Sequence, residues 1–191
     1  MRKSISYVVI SRPAIVIDLD ESIVHVTPLL PRDLDNNQFF TITVKKRRFF
    51  VQMRPYLHHF LEKISKIFDI YFYTASDPEY ANPIIERIMP NIKKNHCFYR
   101  NSCLNVYGYY VKDLNVIRRP LKQILLIDDS AGSALTNPKN LVKIKPWSGE
   151  KNDKVLKDLL SILEGISLET DLRTSFIEAI KNSKFDGISS F

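Results

Sequence analysis

The chain has 191 residues, 45% of them hydrophobic and 26% charged, values of a soluble globular domain that exclude a disordered tail or a membrane bundle. Lys and Arg outnumber Asp and Glu by 28 to 21, and the net charge of +7 suits a nucleic acid, an anionic surface or a phosphorylated partner equally well. The five glycines are never clustered, which excludes a Walker-type phosphate loop and a GxGxxG fingerprint, and the two cysteines and four histidines match no zinc spacing or disulfide framework.

The start, Met1-Arg2-Lys3 and then Tyr7-Val8-Val9-Ile10, carries no apolar stretch long enough for a signal or a membrane span, so a reducing nuclear or cytoplasmic setting is expected. In chain order, Ala14–Ile17 reads as a buried parallel strand. Phe39–Val44, a basic turn Lys45-Lys46-Arg47, and Arg48–Gln52 read as a hairpin insert. Tyr56–Phe68 after Pro55 predicts a helix, Ile70–Tyr73 a second parallel strand, and Pro78–Met89 a helix capped by Asp77. The stretch from Cys97 to Val111, with Gly108 between tyrosines, predicts a second hairpin-like insert. Ile124–Ile127 is a third strand and Leu141–Ile144 a fourth; Lys154–Leu163 and Asp171–Lys181 are helices, and the first residues and the tail from Asn182 are the least firmly held. Strands alternating with amphipathic helices make an α/β domain around a mostly parallel sheet, one unit over residues 1–191.

The chemistry lies where three of these strands end: in Asp18-Leu19-Asp20-Glu21-Ser22, in Thr74-Ala75-Ser76 and in Asp128-Asp129-Ser130. In an open α/β sheet the ligand crevice lies beyond the carboxyl ends of the strands, so these groups converge there. Four carboxylates with hydroxyls require a cation, and an oxygen-only set favours Mg²⁺ over zinc. Asp18 and Asp20, two apart in extended chain, share one face. With Asp18 ionised beside a metal it can attack phosphorus, while Asp20 protonates the leaving oxygen and then activates water. A phosphate among carboxylates also needs a lysine, and Lys112 is the best placed.

The order of these residues resembles the haloacid dehalogenase superfamily and, within it, phosphatases of the RNA polymerase II C-terminal-domain type, including small C-terminal-domain and Dullard-like enzymes. The resemblance spans about residues 14–166, on Asp18-Leu19-Asp20-Glu21-Ser22-Ile23-Val24-His25, Arg54-Pro55, Tyr73-Thr74-Ala75-Ser76 with Glu79-Tyr80-Ala81, Arg100-Asn101-Ser102-Cys103, Tyr110-Val111-Lys112-Asp113-Leu114, Asp128-Asp129-Ser130 and Ile144-Lys145-Pro146-Trp147. It implies a Rossmann-like haloacid dehalogenase fold and a Mg²⁺-dependent phosphoserine or phosphothreonine protein phosphatase working through an aspartyl-phosphate. On it, Asp18 is nucleophile and metal ligand, Asp20 is the acid/base and lends its carbonyl to the metal, Thr74 holds a phosphoryl oxygen and Lys112 neutralises the intermediate. Asp128 and Asp129 complete the metal site, and Ser22, Ala75, Ser76 and Arg100 are assigned to substrate phosphate. Three departures from the family pattern are Ser22 for Thr, Asp129 for the Asn of small members and Ala131 for Pro.

The resemblance further implies a phosphoprotein partner, a monomer, no membrane span and no stable nucleic-acid binding. Two other classes stay open: a small-molecule or polynucleotide-end phosphatase, favoured by the +7 charge, and a catalytically silent binding module, opposed by the intact Asp18, Asp20, Lys112 and Asp128. Short inserts leave the site open, as a protein substrate requires. Lys45–Arg48 reads as a solvated turn ahead of an import signal, His25 as a supporting hydrogen-bonding group, Trp147 as packing and both cysteines as inert.

Overall fold

A computed structural model describes residues 12–30, 38–181 and 185–190. The chain runs β1 (Ala14–Ile17), β2 (Val24–Thr27), β3 (Phe39–Val44), β4 (Arg47–Met53), α1 (Leu57–Ile67), β5 (Asp69–Tyr73) and α2 (Pro78–Ile88). It continues with β6 (Cys97–Phe98), β7 (Leu104–Val106), β8 (Tyr109–Val111), β9 (Ile124–Asp128), β10 (Leu141–Ile144), α3 (Val155–Ile166), α4 (Leu172–Lys181) and β11 (Ile188–Ser190). The main sheet has the order β11-β10-β9-β1-β5-β6, parallel except for β11. This is the expected Rossmann-like architecture, a mixed, mostly parallel sheet with helices.

Strand β1 is fully buried because both of its faces are covered, which is why it reads as an unbroken apolar run. Ile15 and Ile17 face a core to which all four helices contribute. Ala14 and Val16 face a smaller core closed by short 3₁₀ turns at Leu114–Ile117 and Ala131–Ala134. Helix α1 buries Leu57, Phe60, Leu61 and Ile64, an i, i+3, i+4, i+7 stripe. Pro78 opens α2, where its missing N–H costs nothing, behind Asp77. Asp153 opens α3 by accepting the Val155 N–H at 3.1 Å.

Four expectations are corrected. The hairpin turn is two residues, Lys45-Lys46, both at positive φ as a type I′ turn requires, so Arg47 already pairs with Val44. The short strand β2 pairs antiparallel with β4, making the insert a three-stranded sheet β2-β4-β3. Cys97-Phe98 does not belong to the second insert: it is an edge strand of the main sheet, and only Leu104–Val111 forms a hairpin, turning at Tyr107-Gly108. The tail contributes β11, which pairs with β10; the first eleven residues and 182–184, also expected to be loosely held, lie outside the described residues. In the first insert Phe40 and Phe49 pack against the main core, while Phe39 and Phe50 meet edge to face on the other side.

Candidate active site

Strand register brings the acidic residues together. Ile17 pairs with both Phe72 and Ile127, so Asp18 and Asp128 leave the sheet at one level on adjacent strands, and Thr74 follows on the other side of β1. The chain order reverses across β1, with β5 and β6 to one side and β9 and β10 to the other, and ligand crevices form at such a switch. A cavity of about 310 Å³ opens there, lined by Asp18, Asp20, Thr74, Ala75, Lys112, Asp128, Asp129, Ser130, Ser133 and the hairpin residues Gly108, Tyr109 and Tyr110, with Gly132.

Lys112 lies between two carboxylates: its Nζ donates to Asp18 Oδ1 and to Asp128 Oδ2, each at 2.5 Å. All three side chains are buried. Burial pushes the Asp18 carboxyl up to about 7 against the opposing pull of Lys112, with the Asp128 charge adding to the rise. The Lys112 ammonium is moved upward because the two carboxylates outweigh its desolvation. Two buried carboxylates thus share one ammonium, and a second cation would settle the excess charge.

Asp18, Asp128 and Asp129 bring carboxylate oxygens within 4.8 Å of one another. Three carboxylates and one ammonium leave a formal charge of −2, and every donor is oxygen, which fits a hard divalent cation. Asp129 is oriented by Ser22, whose Oγ donates to Asp129 Oδ1 at 2.9 Å and accepts the Asp129 N–H at 3.2 Å. Burial raises the Asp129 carboxyl, and the Ser22 hydrogen bond opposes that rise. Ser22 is fully buried and is not on the cavity wall; it stands against Asp129 of the acid cluster.

Asp20 points elsewhere. Its Oδ2 accepts the Ser76 hydroxyl at 3.0 Å and its Oδ1 the Tyr80 hydroxyl, so its carboxylate stands apart from the three-carboxylate cluster. Burial, with Asp20 alongside, pushes the Tyr80 phenol far upward and keeps it a donor. Thr74 Oγ1 accepts the Ser76 N–H at 3.0 Å, leaving its hydroxyl hydrogen for the cavity. Ala75 lines the cavity, whereas Arg100 is not on its wall and meets residues that are: it donates to the Ala75 carbonyl at 2.6 Å and covers the Tyr110 ring at 5.2 Å, and it pairs with Asp77 at 3.2 Å.

Sequence reasoning passed over the supports. Arg54, 1% exposed, donates from Nη1 to the Ser22 carbonyl at 2.7 Å and forks onto Asp153 at 2.9 and 2.8 Å. It therefore ties the loop after β1 to the start of α3. Arg54 and Tyr80 both stand in motifs quoted above, but nothing in their spacing points at Ser22 or Asp20. His25 pairs with Glu21 at 2.9 Å, buried Trp147 donates its backbone N–H to the Glu21 carbonyl at 2.7 Å, and burial raises both free cysteine thiols. Lys45–Arg48 is exposed throughout, as a solvated turn is.

An acid cluster beside a buried lysine stands at the switch point of this sheet, the arrangement that the resemblance to the haloacid dehalogenase superfamily leads one to expect. Comparison with known proteins gives the family: residues 13–173 match the family described as NLI interacting factor-like phosphatase, and the chain belongs to it. CTD small phosphatase-like protein 2 of Dictyostelium discoideum is 38% identical over 170 residues, 88% of this chain and 30% of that protein. Phosphatase PSR1 of Saccharomyces cerevisiae is 30% identical over 161 residues, 84% of this chain and 38% of that protein. CTD nuclear envelope phosphatase 1 of Xenopus tropicalis is 29% identical over 180 residues, 86% of this chain and 71% of that protein. The chain thus spans only 30% and 38% of the length of the first two relatives. The fold matches that of Fcp1, an essential RNA polymerase II CTD phosphatase, at a TM-score of 0.60 and 17% identity, covering 92% of this chain and 55% of that one. Among the described residues no helix is long and apolar enough to cross a membrane.

Proposed function

We propose that residues 1–191 form one catalytic domain, a Mg²⁺-dependent phosphatase for phosphoserine or phosphothreonine in proteins. The observation that carries this reading is Asp18 at the end of β1, bonded to Lys112 and grouped with Asp128 and Asp129. A Mg²⁺ ion would be held by those three carboxylates with the Asp20 carbonyl, and would supply charge neutralisation to a bound phosphate. A carboxylate oxygen of Asp18 forms the bond to phosphorus as the ester oxygen leaves, and Asp20 gives that oxygen a proton. Asp20 then takes a proton from water, whose oxygen attacks phosphorus and frees Asp18. Thr74 and the Lys112 ammonium offset charge on the phosphoryl oxygens. Ser76 and Tyr80 hold the Asp20 carboxyl for both transfers.

Hydrolysis of para-nitrophenyl phosphate is expected to stop in excess chelator and to return with Mg²⁺; undiminished turnover in chelator overturns the metal assignment. Ligand carboxylates must be ionised, and the cation-free Asp18 carboxyl sits at about 7. Apparent Mg²⁺ affinity should therefore hold above pH 7 and fall by up to about tenfold per pH unit below it. Calorimetric titration between pH 5.5 and 8 reads this, and a flat profile contradicts it.

Three similar proteins named for the CTD and the open cavity support a phosphopeptide substrate, with the polymerase tail as one source, and the name of one, a nuclear envelope phosphatase, supports action in the nucleus; we further propose a monomer, acting there or in the cytoplasm. The +7 charge favours the second reading, a polynucleotide end. Phosphoserine peptides are expected to show higher kcat/KM than 3′-phosphorylated oligonucleotides at two salt concentrations. An oligonucleotide preference that collapses with salt supports the second reading instead.

A further inference from the structure

The hairpin of β7 and β8 has three-residue strands and a tip exposed to solvent, and a ribbon this small has no stable orientation of its own. Yet it delivers Lys112, the next residue after β8, between Asp18 and Asp128. Its placement must come from tertiary contacts. Val111 is buried beneath it, and Tyr110 lies under the Arg100 guanidinium. On the opposite side the Tyr109 ring lies over Gly132, in the loop that follows the Asp128-Asp129 pair.

Gly132 is absent from the glycines with positive φ, so its backbone does not call for glycine. Space does. A Cβ at this position would lie 2.7 Å from Tyr109 Cδ1, closer than a carbon contact permits, and a tight 3.1 Å from Cε1, so the ring would have to shift. The missing side chain is the seat of the Tyr109 ring. The same hairpin and loop are joined again where the Lys112 N–H donates to the Ser133 carbonyl at 2.8 Å, so the two elements are held at both ends of β8.

We propose that Tyr109, seated on Gly132, is a positioning residue that clamps the hairpin to the Asp128-Asp129 loop and so sets the place of the Lys112 ammonium. The proposal rests on the phosphatase reading for its kinetic consequence, not for the clamp itself. Lys112 placement acts on the reacting phosphoryl group, so loosening the clamp lowers kcat more than it changes KM.

The test uses Tyr109→Ala, Gly132→Ala, the double variant and Tyr109→Phe. Each of the first two should lower kcat for para-nitrophenyl phosphate by about 10- to 100-fold, the cost of a misplaced catalytic group, with KM changed by less than about threefold. The double variant should be no worse than either single one, because both remove the same seat, and Tyr109→Phe should restore kcat to within about twofold since the ring face makes the contact. Should Gly132→Ala fail to fold, the exposed Tyr109 pair carries the test alone. Separately, mass-spectrometric footprinting with an amine-acylating reagent should label Lys112 about tenfold faster in Tyr109→Ala than in the parent or Tyr109→Phe, as release of the hairpin uncovers it. Wild type inactive with Lys112 labelling as expected would sink the function and keep the clamp. Unchanged kcat and unchanged labelling in Tyr109→Ala, or losses that multiply in the double variant, overturn the clamp.

Discussion

Asp18→Asn should lower phosphatase turnover by a factor on the order of 10³ or more, because an amide oxygen is a poor nucleophile and a weak metal ligand. The same change should leave the fold intact and, without added cation, make it no less stable than the parent. The reason is the charge count in the buried cluster. Asp18 and Asp128 share the single Lys112 ammonium, and burial already pushes the Asp18 carboxyl up to about 7. Above that pH the parent carries an ionised group that the surroundings penalise, and the amide keeps its shape without the charge. Single-turnover kinetics with urea melts at pH 8 read both halves. Turnover within tenfold of the parent would place the nucleophile elsewhere, and a large loss of stability would mean that Lys112 needs both carboxylates.

Lys112→Met should have the opposite sign on stability. Methionine keeps the length of the side chain but leaves two buried carboxylates facing each other, and breaking a buried ion pair by removing one partner typically costs about 3–5 kcal/mol. The pH dependence follows from the direction of the Asp18 shift. Lys112 is what holds that carboxyl down against burial, so without it the folded-state value rises further above the unfolded one. A raised acid is penalised when ionised, so the loss is largest above its folded value and shrinks as pH falls and the carboxyl takes up a proton. Saturating Mg²⁺ should recover part of the loss, since a cation replaces the missing charge. Turnover should fall on the order of 10³ in parallel, because among the described residues Lys112 is the one buried cation on the cavity wall. A stability loss independent of pH and Mg²⁺ would show that Lys112 serves through packing of its stem instead.

The paired logic of these variants was legible in outline from residues alone. Asp18, Thr74 and Asp128 each end or follow a short run of β-branched, aromatic or other apolar residues, and they do leave neighbouring parallel strands around one cavity. A buried parallel strand covered on both faces must be a continuous apolar run, so its end is marked in sequence by the first polar residue. That made the fold class and four of the six main-sheet strands recognisable from the sequence.

What sequence did not disclose is of a different physical kind. Strands β2 and β11 are three or four residues long and exist because a neighbouring edge offers hydrogen bonds, a condition that local propensity does not contain. Ser22 meets Asp129 across 107 positions, Arg54 meets Asp153 across 99 and Tyr80 meets Asp20 across 60. Residue type allows each of these partners many alternatives, and the closure of the sheet selects one. The seat of Tyr109 on Gly132 is a fact about empty volume, which only packed side chains define. Sequence alone determined that carboxylates and hydroxyls stand at the ends of the main strands, because strand ends and charged residue types are local properties. Tertiary structure decided how each group is held, charged and oriented, because contact, burial and the sharing of one ammonium by two carboxylates arise only between segments far apart in the chain.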